Sequence, residues 1–252
     1  MPPLALHTAI AKDVADMLRL TALDAERGSL YLGSTAPDIR VMTKGDRAHT
    51  HFFDLSTFDE QSGVSGLFGA HPALAQPQAL SPSTGAFMAG YITHLVTDET
   101  WINTVYRPHF GERSPLGGDL RANVMDRALQ FSMDSDRRND RDLMLHIVDA
   151  LVRFDLSLEI DFIDSDTLHS WRELVADIVN RSPDWERFRE GARRHLKLSS
   201  NAENGFEELT RSLPDLVDET LRYLTPERVQ AFMEDSLRAS TEAVRGYLQC
   251  DY

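Results

Sequence analysis

Apolar positions in this chain recur at steps of three and four, and no strand-length stretch alternates at steps of two. Over residues 4–23, Ile10, Ala11, Val14, Met17 and Leu18 form one stripe with His7 near its start, which predicts an amphipathic helix. The clearest element follows Ser81-Pro82, a cap and a first-turn proline, and runs to about Trp101. Phe87, Tyr91, His94, Leu95 and Asp98 share one side of it, while Met88, Ile92 and Val96 occupy the others. Such a helix, apolar nearly all round, is expected to be central and buried. Further helices are predicted over 119–133, 140–154, 167–180, 183–198, 206–224 and 226–248, with starts marked by Asp166, Ser182-Pro183 and Thr225-Pro226. Residues 28–83 and 106–118 read as connections rich in Gly, Pro, Ser and Asp. Loops of that length are functional or disordered, and Tyr31-Leu32 and His51-Phe52-Phe53 favour order. The fold class is all-α: a single multi-helix bundle.

Composition narrows the chemistry. The 252 residues are ample for a core, and 26 Lys and Arg against 40 Asp and Glu leave a net charge of −14. That surplus argues against a long nucleic acid as partner. No stretch is apolar enough to form a transmembrane segment, and the first residues do not read as a secretory signal, so a cytoplasmic location is expected. Cys250 is the sole cysteine. It can form neither an internal disulfide nor a thiolate cage, so any metal site must draw on His and carboxylates.

Five of the nine histidines fall between His49 and His109. His94 and Asp98 lie one turn apart on the most apolar helix, which suits either a mutual hydrogen bond or a shared cation. Asp38, in YLGSTAPDI, sits in a turn held by Gly33 and Pro37. His51, in AHTHFFD, has aromatic neighbours, and His49 would point the same way if the segment were extended. With His7 these residues make a set of N/O donors from four separated segments. Such a set fits zinc, or several zinc ions sharing a carboxylate.

A His near the start, a Gly-x-x-x-Pro-Asp turn (Gly33 to Asp38), His51-Phe52, and Gly90-Tyr91-x-x-His94-x-x-x-Asp98 together resemble the zinc-dependent phospholipase C family, whose wider fold includes single-strand nucleases. The match covers about the first 100 residues. The resemblance implies a helical bundle with up to three zinc ions in a cleft. It makes His7, His51, His94 and Asp98 zinc ligands, and Asp38 a ligand or the catalytic carboxylate that activates water. It also makes residues 1–160 the phospholipase C-like helical domain, with 161–252 as additional helices packed on it. Secreted members use their mature N-terminus in one zinc site, where this chain offers Met1-Pro2, and carry a later His-x-x-x-Glu. The nearest candidates here are His109, and His146 with Asp142 or Asp149. Two or three ions are therefore expected, with His146 as a further candidate ligand.

The second half carries no constellation of its own: Trp171, Trp185 and Phe188 read as core contacts, and Arg189, Arg193, Arg194 and Lys197 as a solvated basic face. The expected activity is hydrolysis, through metal-bound water, of a small phosphodiester or phospholipid headgroup, with Phe52, Phe53, Phe87 and Trp101 as an apolar wall. Two alternatives stand beside it: a scaffold with a structural metal site, and a nuclease or nucleotide phosphoesterase.

Overall fold

A computed structural model of the chain describes residues 3–59, 61–196 and 200–248, which form helices and turns with no strand among them. Cys250 and Lys197 lie outside those residues. The helices are α1 Leu4–Leu18, α2 Thr21–Ala25, α3 Arg27–Gly33, α4 Arg40–Thr43, α5 Ala48–His51, α6 Gly63–Ala70, α7 Pro82–Trp101, α8 Leu120–Asn139, α9 Arg141–Arg153, α10 Ser165–Asn180, α11 Trp185–Leu196, α12 Ser200–Leu209, α13 Leu213–Leu224 and α14 Pro226–Leu248. None of them is long and apolar enough to cross a membrane.

The all-α expectation holds, and α7 is the axis of the fold. The Ser81 hydroxyl accepts the Thr84 N–H and Pro82 fills the first turn, so the start is fixed as the sequence reads. Helices α1, α3, α6 and α14 all pack on it. The C-terminal helices join the same body: α14 lies along α7, with Phe232 edge-on to Trp101, and α10 packs on α9 and α1.

Four expectations about element boundaries need correction. Arg19 takes a left-handed conformation that ends α1 at Leu18, and the run expected over 206–224 is broken between Leu209 and Leu213. The stretch expected to be loop over 28–83 is built largely of short helices. Of these, α3 is buried along nearly its whole length, because its glycines are packing points rather than turn formers. A Cβ on Gly33 would lie 2.0 Å from the carbonyl oxygen of Phe87, and one on Gly90 would lie 2.0 Å from that of Leu30. The backbones of α3 and α7 therefore touch, and the favourable contact offsets the poor helix propensity of glycine. The fourth correction concerns 106–118, where a π-helix over Ile102–Phe110 continues α7 into the expected linker.

This close crossing carries a prediction. Gly90→Ala drives a methyl into the α3 backbone and is expected to destabilise the chain by about 1–3 kcal/mol or more. Gly85→Ala in the same helix meets nothing within 4 Å and should be neutral, or stabilising by up to about 1 kcal/mol. Urea unfolding of the two variants checks this, and equal effects would contradict the crossing.

Candidate metal centre

Four segments bring five side chains together where α1, α3, α5 and α7 meet. His7 enters from the first turn of α1. That turn begins at Pro3, which caps nothing with its side chain, and Asp134 of α8 takes over the task by accepting the Leu6 N–H at 2.9 Å. Asp38 projects from the 3-10 turn Ala36–Ile39 that follows α3. Trp171 of α10 donates its indole N–H to Thr35 and ties that turn down. His51 closes α5, and His94 and Asp98 lie one turn apart on α7. His7, His51, His94 and Asp98 are each 1 % exposed or less.

The distances bear on both readings of the His94 and Asp98 pair. His94 Nε2 lies 3.6 Å from Asp98 Oδ2, too far for a hydrogen bond. His51 Nε2 lies 3.4 Å from the same oxygen and 3.4 Å from His94 Nε2. Asp38 Oδ1 stands 3.5 Å from His51 Nε2. Donor atoms about 2.0–2.1 Å from a tetrahedral zinc stand about 3.3 Å from one another, so the triangle of His51, His94 and Asp98 matches one face of such a site. His7 Nε2 faces the other oxygen, Asp98 Oδ1, at 3.5 Å, and its ring stacks on His94 at 3.8 Å. His7 Nδ1, His7 Nε2 and Asp98 Oδ1 are buried without a hydrogen-bond partner. Bare polar atoms in such a place are costly unless a cation satisfies them. Two overlapping donor groups result, His7 with His94 and Asp98, and Asp38 with His51 and His94.

The surroundings prepare the donors. His94 Nδ1 lies 2.8 Å from the Ser34 carbonyl oxygen, so Nδ1 carries the proton and Nε2 is the free donor turned to His51 and Asp98. Burial opposes charge on Asp98, yet the imidazoles of His94, His51 and His7 hold its carboxyl well below the usual carboxylate range. Burial also opposes charge on the partly exposed Asp38, yet His51 and His94 hold its carboxyl low. Burial and the charge of His94 depress His7 to about 4. Burial also works against a charged His94, but Asp98 outweighs it and raises that imidazole above its ordinary value.

Other expected residues stand apart. His146 is exposed on α9, its ring against Tyr31, and it joins neither donor group. Its helix turns its buried side, Met144, Ile147 and Leu151, to the core, and Asp142 and Asp149 are exposed as well. His109 pairs with Arg228 and Tyr223 on the surface. His49 is exposed because 48–51 is helical rather than extended, so positions two apart point in different directions.

Beside the cluster lies a cavity of about 870 Å³ whose wall includes Asp38 and Arg47. Of the four aromatics expected to wall the site, Trp101 alone lines it. Phe87 packs in the core, Phe52 against His71 and Phe162, and Phe53 beneath Arg107. Leu55, Phe58, Phe131, Trp171 and Phe188 supply the apolar lining instead. Trp171 and Phe188 therefore serve the site as well as the core, which the reading of the second half missed. Sequence reasoning also missed Arg47, which donates to Asp98 Oδ2 at 3.2 Å and to the Phe53 carbonyl at 2.9 Å. Nothing in TKGDRAH distinguishes it from a surface arginine. The expected basic face on α11 is engaged by Glu203 and Glu207 of α12, which fits a solvated role.

No protein-family model, curated protein or solved structure matches the chain.

Two measurements check the centre. By elemental analysis the purified chain should retain zinc, His94→Ala should lose it, His7→Ala should lose only the portion held near Asp98 Oδ1, and the exposed His146→Ala should lose none. The zinc affinity should also fall as pH is lowered through the raised His94 value, because the proton on Nε2 must leave before a metal can bind, while His7 stays neutral above about 4. A pH-independent affinity would contradict His94 as a ligand.

Proposed function

We propose that the protein is a metal-dependent hydrolase of phosphoesters, with zinc as its metal and His7, Asp38, His51, His94 and Asp98 as the donors. The observation that supports this reading best is that Asp38 and Arg47 belong both to the donor cluster and to the cavity wall. A site that only stapled the fold would be closed on all sides. When bound, zinc supplies Lewis-acid polarisation of a phosphoryl oxygen and acidifies a water molecule.

The chain's own residues divide the remaining work. His51, His94 and Asp98 bind, and the Ser34 carbonyl fixes the imidazole that binds most centrally. Asp98 turns one oxygen to His7 and the other to His51 and His94, so its charge is shared among the three imidazoles. Asp38 has a side chain 15 % exposed against 2 % or less for the others, and it meets both the cluster and the cavity. Its proton affinity is held low, which makes it a weak general base. Ligation, or orienting an attacking water by accepting its hydrogen bond, suits it better than deprotonation. Arg47 places a fixed positive charge at the same junction, where negative charge on a phosphoryl group would build up.

The cavity volume falls in the range of small-molecule sites, about 300–1,000 Å³. Its apolar lining suits the acyl or glycerol part of a phospholipid, or the aromatic group of a small phosphodiester. The chain's net charge of −14 still disfavours a long nucleic acid.

Hydrolysis of bis(p-nitrophenyl) phosphate and of phosphatidylcholine by the zinc-loaded chain tests the reading. Activity should fall to background with chelator, return with zinc, and be lost in Asp98→Asn. A chain that holds zinc yet cleaves neither these diesters nor phosphate monoesters would favour a structural staple instead.

A further inference from the structure

Seven arginines line the cavity: Arg40, Arg47, Arg107, Arg127, Arg138, Arg181 and Arg187. A guanidinium cannot shed its proton, so each one buried or half-buried needs an acceptor. Five have one. Arg47 holds Asp98, and Arg107 donates to the carbonyls of Leu55 and Thr57 and covers the ring of Phe58. Arg138 donates to the carbonyls of Arg181 and Ser182 and faces Asp134, while Arg181 pairs with Asp177 and Arg187 with Asp184.

Arg40 and Arg127 differ. Neither guanidinium makes a hydrogen bond or an ion pair within 4 Å among the described residues, and the Nε of each is buried without a partner. Both line the same cavity, and burial, then the charge of Arg40, lower the Arg127 pKa against the pull of Asp126 and Tyr106. Asp126 already accepts the Trp101 indole N–H and the Gln130 amide. Arg40 follows two residues after Asp38, and Arg127 projects from α8 across the cavity wall. Two like charges held together without acceptors are unfavourable for the chain alone, and they become favourable once an anion lies between them.

We propose that Arg40 and Arg127 form an anion-binding subsite beside the metal centre, which takes a second phosphate or similarly charged group on the molecule that the cavity holds. In assigning that anion to a substrate, the proposal rests on the hydrolase reading; the anion binding itself does not. The substrate class sharpens accordingly, to a phosphoester carrying another anionic group, rather than one with a cationic head such as choline. For a cationic head the cavity would present two unpaired guanidiniums.

The test compares 1,3-propanediol bisphosphate with propyl phosphate by titration calorimetry on the zinc-loaded chain. Both offer the metal centre the same monoester, so their affinity ratio reports the second group alone. The wild type should prefer the bisphosphate at least about tenfold, and R40Q and R127Q should each abolish most of that preference. Both variants should also keep their zinc and melt at higher temperature than the wild type without ligand, since an unpaired, partly buried charge has been removed. A structural role would lower the melting temperature instead. Phosphatidylcholine vesicles with and without phosphatidic acid distinguish the source. Arginine-dependent binding to the doped vesicles assigns a lipid headgroup, and a preference confined to the soluble probe assigns a soluble phosphate. Equal affinity for the two soluble probes, or a preference unchanged in both variants, overturns the subsite. A clear preference in a chain without hydrolytic activity would leave the subsite standing and overturn the hydrolase reading alone.

Discussion

Asp98 is a carboxylate placed inside the central, largely buried helix of the protein, and its requirement for positive charge organises everything around it. Three imidazoles and one guanidinium converge on its two oxygens at 3.2–3.6 Å. The imidazoles stand too far off for hydrogen bonds. Burying a carboxylate without compensation costs several kcal/mol, about as much as a marginally stable domain can spare. The same spacing that is poor for direct hydrogen bonds is right for ligands around one small divalent ion. On the proposed reading, the metal is therefore a structural necessity for this core before it is a catalyst, and binding energy at the centre doubles as folding energy.

That requirement explains the local architecture. For His94 to present Nε2, a carbonyl must hold Nδ1, and the carbonyl available is that of Ser34 at the end of α3. It comes within reach because Gly33 and Gly90 let two helix backbones touch. His7 is placed by the first turn of α1, which Asp134 fastens from another helix, and Asp38 by a turn that Trp171 anchors. The cluster thus draws on both halves of the chain, although every candidate donor in it lies in the first 100 residues.

What the sequence made legible was whatever obeys a period. The His94-x-x-x-Asp98 spacing, the Ser81-Pro82 start and the apolar envelope of α7 are local patterns, and the structure keeps them. Asp38 and His51 were readable because ionisable side chains sit there in rigid or aromatic contexts. What stayed hidden depends on contacts between distant segments. The glycines of α3 looked like loop punctuation because their reason is a helix far along the chain. His146 looked plausible because its own helix is apolar on one side, but it lies on the other side. Arg40, Arg47 and Arg127 are indistinguishable from solvated arginines until the cavity is seen.

X-ray absorption at the zinc edge of the purified chain tests the central claim most directly. The account predicts a first shell of imidazole nitrogens and carboxylate oxygens at about 2.0–2.2 Å, with no sulfur, that is lost when His94 is replaced by alanine. A chain without bound zinc, or a zinc shell of water oxygens alone that His94→Ala leaves unchanged, would contradict it.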